Sequence, residues 1–563
     1  MSRFDVCHPD DLNRPFKSRP DIIVPHLNLT YHDPDLLSPG YFFLAPFKSL
    51  VSVPLIYDNN GHLIWVGSDG LAGTEGHGPH VYDFHVCDYR GSQSSICMLR
   101  GFNDQGNVRG DAIILDSHYR QVKQVFASGV ATSCDLHEFT TANSGTTALV
   151  TQYRRRPYDL PGRGLVWLLE GVFQELDIES GRVLFEWKSL DHVAPSESVL
   201  TPTQATRSLP WDYFHLNSVE KMPDGNYLVS SRHTSTIFKI SARDGTIMWR
   251  LGGPLSSFEP MDPPLLFQHH ARVLADDGET TRLSVFDNGR RPAMKPERPS
   301  AGLILQLNHK SKTVLVERRY SGPGVQYIIK VAGSTLVLPN QNVLVGFGDS
   351  ACFTEYTSNG TLALKACLQD ATRGTLYRAY KAPWIGRPLS DVALVSFSRT
   401  NLSSTAFYVS WNGATEVRHW RVLGALSQSG PFEEVSRVAK AGFETTISTD
   451  KHYAAAYVEA LSAEGQVLGK SAVAATLVPS EANGPHCDDF WCIESSPCPA
   501  AVETGSVVVG GAPSPLHVVG DWQHVPFAQG FLLNMLITPL LFVLLRFARQ
   551  KWRGGCGIGR RLA

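Results

Sequence analysis

The stretch DYFHLNSVEKMPDGNYLVSSRH, residues 212–233, alternates polar and apolar positions on both sides of a Pro-Asp-Gly-Asn turn, the pattern of a β-hairpin. Its strand ends carry His215, Arg232 and His233, where a hairpin built only for stability would place Phe, Leu or Val. Buried imidazoles and a guanidinium each need a hydrogen-bonding partner and contribute little stability, so these ends are expected to line a site.

Related units recur on both sides. DFHVCDYRGSQSSICML (from Asp83), DLHEFTTANSGTTALVTQY (from Asp135) and FQHHARVLADDGETTRLSVFDN (from Phe267) each set an aromatic residue, Leu or Gln before a His, then a turn and a second strand; GSTLVLPNQNVLVGFG (from Gly333) is a degenerate copy. A second hairpin type, with a Gly turn and mostly an aromatic-tipped strand, lies between them: LIYDNNGHLIWVG, QELDIESGRVLFEW, FKISARDGTIMWRLGG and TEYTSNGTLAL. Two alternating hairpins make a four-stranded sheet, and its repetition is the signature of a β-propeller. The span from about residue 50 to about residue 380, in units of about 50 to 60 residues, predicts about six blades.

In a propeller the innermost strands run along a central channel, so His85, His137, His215 and His269 are expected to converge, with Arg232 on the same rim. For His85 alone, a structural bond to a neighbouring blade is the preferred reading. Imidazole is a common zinc ligand, but Arg232 is a fixed cation that repels a metal ion, so no metal and no cofactor is expected. Neutral imidazoles beside a forked, permanently charged donor suit a tetrahedral oxyanion such as a sulfate or phosphate ester.

The chain has 563 residues, with 51 Lys and Arg against 53 Asp and Glu, which leaves no basic footprint for nucleic acid. Abundant Gly, Pro and aromatic residues without long amphipathic helical periodicity predict an all-β body. The expected organisation is an N-terminal segment (1–39), a β-propeller (40–388), a fibronectin type III-like β-sandwich (389–478), a stalk (479–525), one C-terminal transmembrane helix (526–547) and a basic tail (548–563). Trp411 and Tyr453 would be the sandwich's core Trp and tyrosine corner; two additional propeller hairpins are the alternative.

PFAQGFLLNMLITPLLFVLLRF, Pro526 to Phe547, is apolar over the length that a bilayer-spanning helix needs. Arg546, Arg549, Lys551, Arg553, Arg560 and Arg561 follow it, so the positive-inside rule places the tail in the cytosol and the large body in the lumen or outside. The N-terminus MSRFDVCHPDDLNRPFK has no apolar signal region, which leaves either a missing first exon or tail-first insertion against the charge rule. Cys87 with Cys97, and Cys352 with Cys367, flank hairpin turns almost symmetrically, so disulfides across each hairpin are expected, with buried thiols as the alternative. Sequons stand at Asn28, Asn359 and Asn401.

DLHEF, DYFHLNSV, YLVSSRHTSTIFKI, IMWRLGG, FQHHAR and SVFDN resemble, in order and over roughly residues 40 to 390, the arylsulfotransferase family in its fungal branch. The resemblance implies a six-bladed propeller that moves a sulfuryl group from a phenolic sulfate ester to another phenol, without a nucleotide sulfate donor. It implies His269 as nucleophile, through a sulfohistidine, with His137, His215 and Arg232 around the sulfuryl oxygens. His233, His270, Asn217 and Asn288 stand beside these positions and are the candidate substrate-binding residues. The expected partners are aryl sulfates, small phenols and a membrane.

The chain departs from the family's pattern in two places. Bacterial members carry a sandwich before the propeller, whereas here it is expected after it. His270 stands where related fungal sequences more often have an acidic residue, and strand register decides which of His269 and His270 faces the channel. Two other functions fit the same residues: acid-base isomerisation or cyclisation of a small intermediate, and binding without chemistry.

Overall fold

The hairpin at 212–233 forms as its sequence demands. In the computed structural model, strands Leu216–Lys221 and Tyr227–Ser231 pair antiparallel around a turn closed by Met222 N to Asn226 O at 2.8 Å and Gly225 N to Met222 O at 2.9 Å. Gly225 adopts a φ of 85°, which a side chain would oppose. The structure describes residues 16–479 except 50, 68–72, 75–78, 105–106, 130–132, 203, 292–296, 323–327 and 370–373. The stalk beyond 479, the apolar stretch 526–547 and the basic tail lie outside the described residues. Among the described residues no helix is long and apolar enough to cross a membrane.

The fold is all-β, built of small antiparallel sheets. Six of these, among the described residues, follow one another along residues 41–382. Their leading strands are Tyr41–Phe47, His80–Tyr89, Phe139–Ala142, Leu216–Lys221, His269–Asp276 and Ser334–Val337. In the first sheet the late strand Thr375–Ala382 pairs with Tyr41–Phe47, so the two ends of this region share one sheet. Each sheet's inner strands neighbour those of the next, and Ser334–Val337 neighbours Thr375–Ala382, which returns the circuit to its start. The hairpins read as outer units supply the third and fourth strands of the first, third, fourth and sixth sheets.

Aromatic wedges hold adjacent sheets together. Phe173, Trp187, Tyr213, Phe214, Tyr227 and Phe238 pack as one buried cluster between the third and fourth sheets. Each fully buried ring contributes about 2 to 3 kcal/mol through apolar area removed from water.

A separate pair of sheets follows. Ala393–Ser398, Thr405–Ser410 and Glu444–Ser448 form one, and Glu433–Ala439, His419–Ala425, Ala455–Leu461 and Val467–Lys470 the other. Their shared core contains Phe407, Val409, Trp420, Ile447, Tyr453 and Val458. Trp420 is the fully buried indole, while Trp411 lies nearer the edge and donates from Nε1 to the Ser390 carbonyl at 2.7 Å.

Both expected disulfides are present. Cys352 and Cys367 stand directly opposite each other on paired strands; Cys87 pairs with Ser95, so its bond to Cys97 runs diagonally across the ladder. Among the described residues Cys134 is a buried free thiol. Asn359 and Asn401 are exposed, and Asn28 is half-buried on the edge strand His26–His32.

Candidate active site

Three of the leading strands, those starting at Phe139, Leu216 and His269, carry a candidate site histidine at or just before their first residue. His137 lies two residues before Phe139–Ala142 in the segment Asp135-Leu136-His137-Glu138, and its Nδ1 bonds Asp135 Oδ2. His215 precedes Leu216–Lys221; its Nδ1 lies 2.5 Å from Asp212 Oδ2 and its backbone N donates to Asp212 Oδ1 at 3.0 Å. His269 opens its own strand, with Nδ1 2.7 Å from Asn288 Oδ1. His215, Phe267 and His270 all adopt left-handed φ values, 53°, 54° and 53°, an uncommon conformation for such residues that is concentrated where the strands enter the site.

The rings meet. The centroids of His137 and His215 are 4.8 Å apart and edge-on, and those of His215 and His233 are 4.6 Å apart. His269 interacts electrostatically with Arg232, His215 and His137. Arg232 lies over the Phe267 ring at 4.2 Å; its Nη1 contacts His233 Nε2 at 2.6 Å and its Nη2 donates to the Lys330 carbonyl at 3.2 Å. Tyr153 and Tyr377 wall the group, their ring centroids 5.9 and 5.6 Å from that of His137. Both phenols are engaged, Tyr153 donating to the Leu216 carbonyl at 2.8 Å and Tyr377 to that of Asn217 at 3.2 Å.

Burial sets the electrostatics. It holds His215 and His269 well below the ordinary imidazole range, and the nearby cation Arg232 pushes both the same way. Burial also depresses His233 to about 3, against the attraction of Asp212, and raises Asp212 itself. Arg232 falls to about 10 on burial, which leaves it charged at neutral pH. With each Nδ1 taken, Nε2 of His137, His215 and His269 has no hydrogen-bond partner among the described residues. These three imidazole nitrogens are therefore open to a ligand, whereas both Nη atoms of Arg232 also meet protein acceptors.

The other predicted residues have different surroundings. His270 is buried on the far side of its strand, with Nδ1 3.1 Å from the Thr335 carbonyl and its ring centroid 5.8 Å from that of Tyr380. His85 joins this second group instead of converging with His137, because a register irregularity between Tyr82 and His85 and the φ of 52° at Asp83 turn its ring to within 4.9 Å of Tyr380. Asn217 is fully buried and donates from Nδ2 to the Gln268 carbonyl at 2.7 Å, tying the strand of His215 to that of His269. Asn288 likewise holds a protein group, the His269 ring.

Asp212, His215 and His233 offer ligand atoms within 4.8 Å of one another. Their mutual bonds and the Arg232 contact already occupy most of these atoms, and the guanidinium opposes a cation, so the group does not suit a metal ion.

A second layer supports the first. The buried Arg378 guanidinium lies 2.7 Å from Asp83 Oδ1 and 3.0 Å from Glu138 Oε1, and it donates to the carbonyls of His137 at 2.7 Å and Asn217 at 3.0 Å. Arg272 Nη2 pairs with Glu138 at 2.9 Å, and Tyr380 donates to Asp83 at 2.6 Å. None of Asp135, Asp212, Arg378 or Tyr377 was expected from sequence, although the two aspartates stand inside the motif strings themselves.

Among solved structures, a protein of unknown function from Bacteroides caccae matches at 14% identity, covering 61% of this chain and 99% of that one, with a TM-score of 0.36. Hydrazine synthase from Kuenenia stuttgartiensis matches at 11% identity over 64% of this chain and 86% of that one (TM-score 0.29), and virginiamycin B lyase from Staphylococcus aureus at 8% over 68% and 95% (TM-score 0.30). No curated protein matches the chain. Residues 100–369, which include His137, His215, Arg232, His269 and Asn288, match the family model described as Arylsulfotransferase (ASST).

Proposed function

We propose that the chain is an aryl sulfate sulfotransferase-like enzyme on a six-bladed β-propeller, transferring a sulfuryl group between phenols through a sulfohistidine at His269. What supports this reading is that His137, His215 and His269, from three sheets, are each anchored at Nδ1, and that Arg232, His215 and His137 stand near enough to His269 to act on it electrostatically. Neutral His269 attacks sulfur through Nε2, and the first phenol leaves; a second phenol then takes the sulfuryl group from nitrogen. Arg232 holds the sulfuryl oxygens as charge builds, with His137 and His215 beside them. Tyr153, Tyr377 and Phe267 supply apolar ring surface suited to an aryl group.

The two-sheet unit at 389–478 is read as fibronectin type III-like, and residues 526–547 as a single-pass anchor with the body lumenal or extracellular. The two disulfides fit an oxidising compartment.

The test is turnover of the full-length chain on a chromogenic aryl sulfate with a phenol acceptor and no nucleotide sulfate. The reading expects acceptor-dependent release of the chromogenic phenol. One observation favours a second reading: Asp135 with His137 and Asp212 with His215 are carboxylate-imidazole pairs suited to general-base work on a small intermediate. Conversion of a carbonyl compound, together with inertness to every aryl sulfate, would select that one.

A further inference from the structure

The histidines of the site differ in what holds Nδ1. At His137 and His215 it is a carboxylate, at His233 the backbone carbonyl of Asp212, and at His269 the neutral amide of Asn288. That amide is fixed from behind: Nδ2 of Asn288 donates to the carbonyls of Ile329 and Ala332, both at 3.1 Å. Carbonyl oxygens only accept, so the amide cannot turn over and Oδ1 must face His269. An acceptor at that position requires the proton on Nδ1 and leaves the lone pair on Nε2. Asn288 offers no negative charge to stabilise a second proton, and the Arg232 cation nearby opposes one. At His137 the partner is instead the Asp135 carboxylate, which can balance a positive charge formed on the ring.

We propose that Asn288 is a positioning residue that keeps His269 in the neutral Nδ1–H tautomer for attack on sulfur, and that the carboxylate-paired His137 carries the proton of the reaction. The inference rests on the sulfuryl-transfer reading above and divides the labour within it. The Nε2 lone pair of His269 forms the N–S bond as the S–O bond to the first aryl group breaks. That bond's electron pair goes to the phenol oxygen, which takes a proton from Nε2 of His137. In the second half the incoming phenol returns a proton to the same nitrogen, its oxygen bonds sulfur, and the N–S pair goes back to His269. Throughout, Nδ1 of His269 keeps its proton and donates it to Asn288.

The experiment measures the burst of phenol release from the full-length chain with nitrophenyl, phenyl and methoxyphenyl sulfates. Asn288→Ala is expected to slow the burst about tenfold to a hundredfold for all three. Asp135→Asn is expected to spare the nitrophenyl ester, whose phenol leaves unaided, and to slow the methoxyphenyl ester about a hundredfold. Wild-type burst rates in Asn288→Ala, or equal slowing of all three esters by Asp135→Asn, would overturn the proposal. Because a buried Asn288→Ala variant can fail to fold, nitrogen NMR of histidine-labelled unaltered protein gives a second test: His269 protonated at Nδ1 supports the assignment, and protonation at Nε2 overturns it. No burst in the unaltered protein, with the Nδ1–H tautomer intact, would remove the sulfuryl-transfer reading and leave the tautomer assignment standing.

Discussion

His269 and His270 are consecutive, yet they belong to different neighbourhoods: Nδ1 of His269 lies 2.7 Å from Asn288, and Nδ1 of His270 lies 3.1 Å from the Thr335 carbonyl. A register shift between His269 and Arg272 and the left-handed backbone at His270 accommodate both rings in the interior. The first ring joins Arg232, His215 and His137, and the second joins Arg272, Arg378 and His85. His269→Ala should therefore lower sulfuryl transfer by about a thousandfold or more, as expected for loss of a nucleophile. His270→Ala should act mainly on stability, with a rate within about tenfold of wild type once the variant is folded. Steady-state rates on folded protein, checked by thermal melting, separate the two.

Arg232 is a buried cation stacked on Phe267 and aimed at the histidines. Arg232→Lys preserves the charge but loses the planar fork and the stack, so it should not rescue activity. Both Arg232→Ala and Arg232→Lys are expected to lose about a hundredfold in kcat/KM. Near-normal kinetics in the lysine variant would show that a point charge is enough.

Arg378 neutralises Asp83 and Glu138 in the interior while bonding the carbonyls beside the catalytic strands. Arg378→Met leaves Asp83 buried without its cation and takes one of two from Glu138, which keeps Arg272, and it should destabilise the fold by about 3 to 5 kcal/mol. Urea unfolding measures this directly. A variant as stable as wild type would mean that water reaches both acids.

His137, His215, Arg232 and His269 stood out in the sequence because each sits in a repeated hairpin whose signal is a polar residue at the end of an apolar strand. Asp135 and Asp212 were in plain view in DLHEF and DYFH, but an aspartate just before a strand reads equally well as a turn former. Arg378 and Tyr377 had no such signal. Their strand pairs with Tyr41–Phe47, more than three hundred residues earlier, and no local pattern encodes that contact. His85 carried the same motif as its counterparts, yet the backbone turn at Asp83 and the pull of Tyr380 take it elsewhere. The Cys352–Cys367 bond was readable because both residues flank one short hairpin.

Stability should depend on pH in a definite direction. Burial lowers His233 from 6.5 to about 3, so between those values the unfolded chain binds a proton that the folded chain refuses. The stabilisation is complete above about pH 6.5 and is lost as pH falls toward about 3, with His215 and His269 contributing in the same sense. Melting temperature should therefore drop between about pH 7 and about pH 5, and His233→Gln should flatten part of that drop. A pH-independent melting temperature over this range would mean that these imidazoles are solvated.

The most direct measurement is to trap the enzyme during turnover with an aryl sulfate carrying a labelled sulfuryl group and to map the label by peptide mass spectrometry. The account predicts one labelled site, on His269, discharged by added phenol and absent in His269→Ala. Turnover with the label on another residue, or with no covalent label at all, would contradict it.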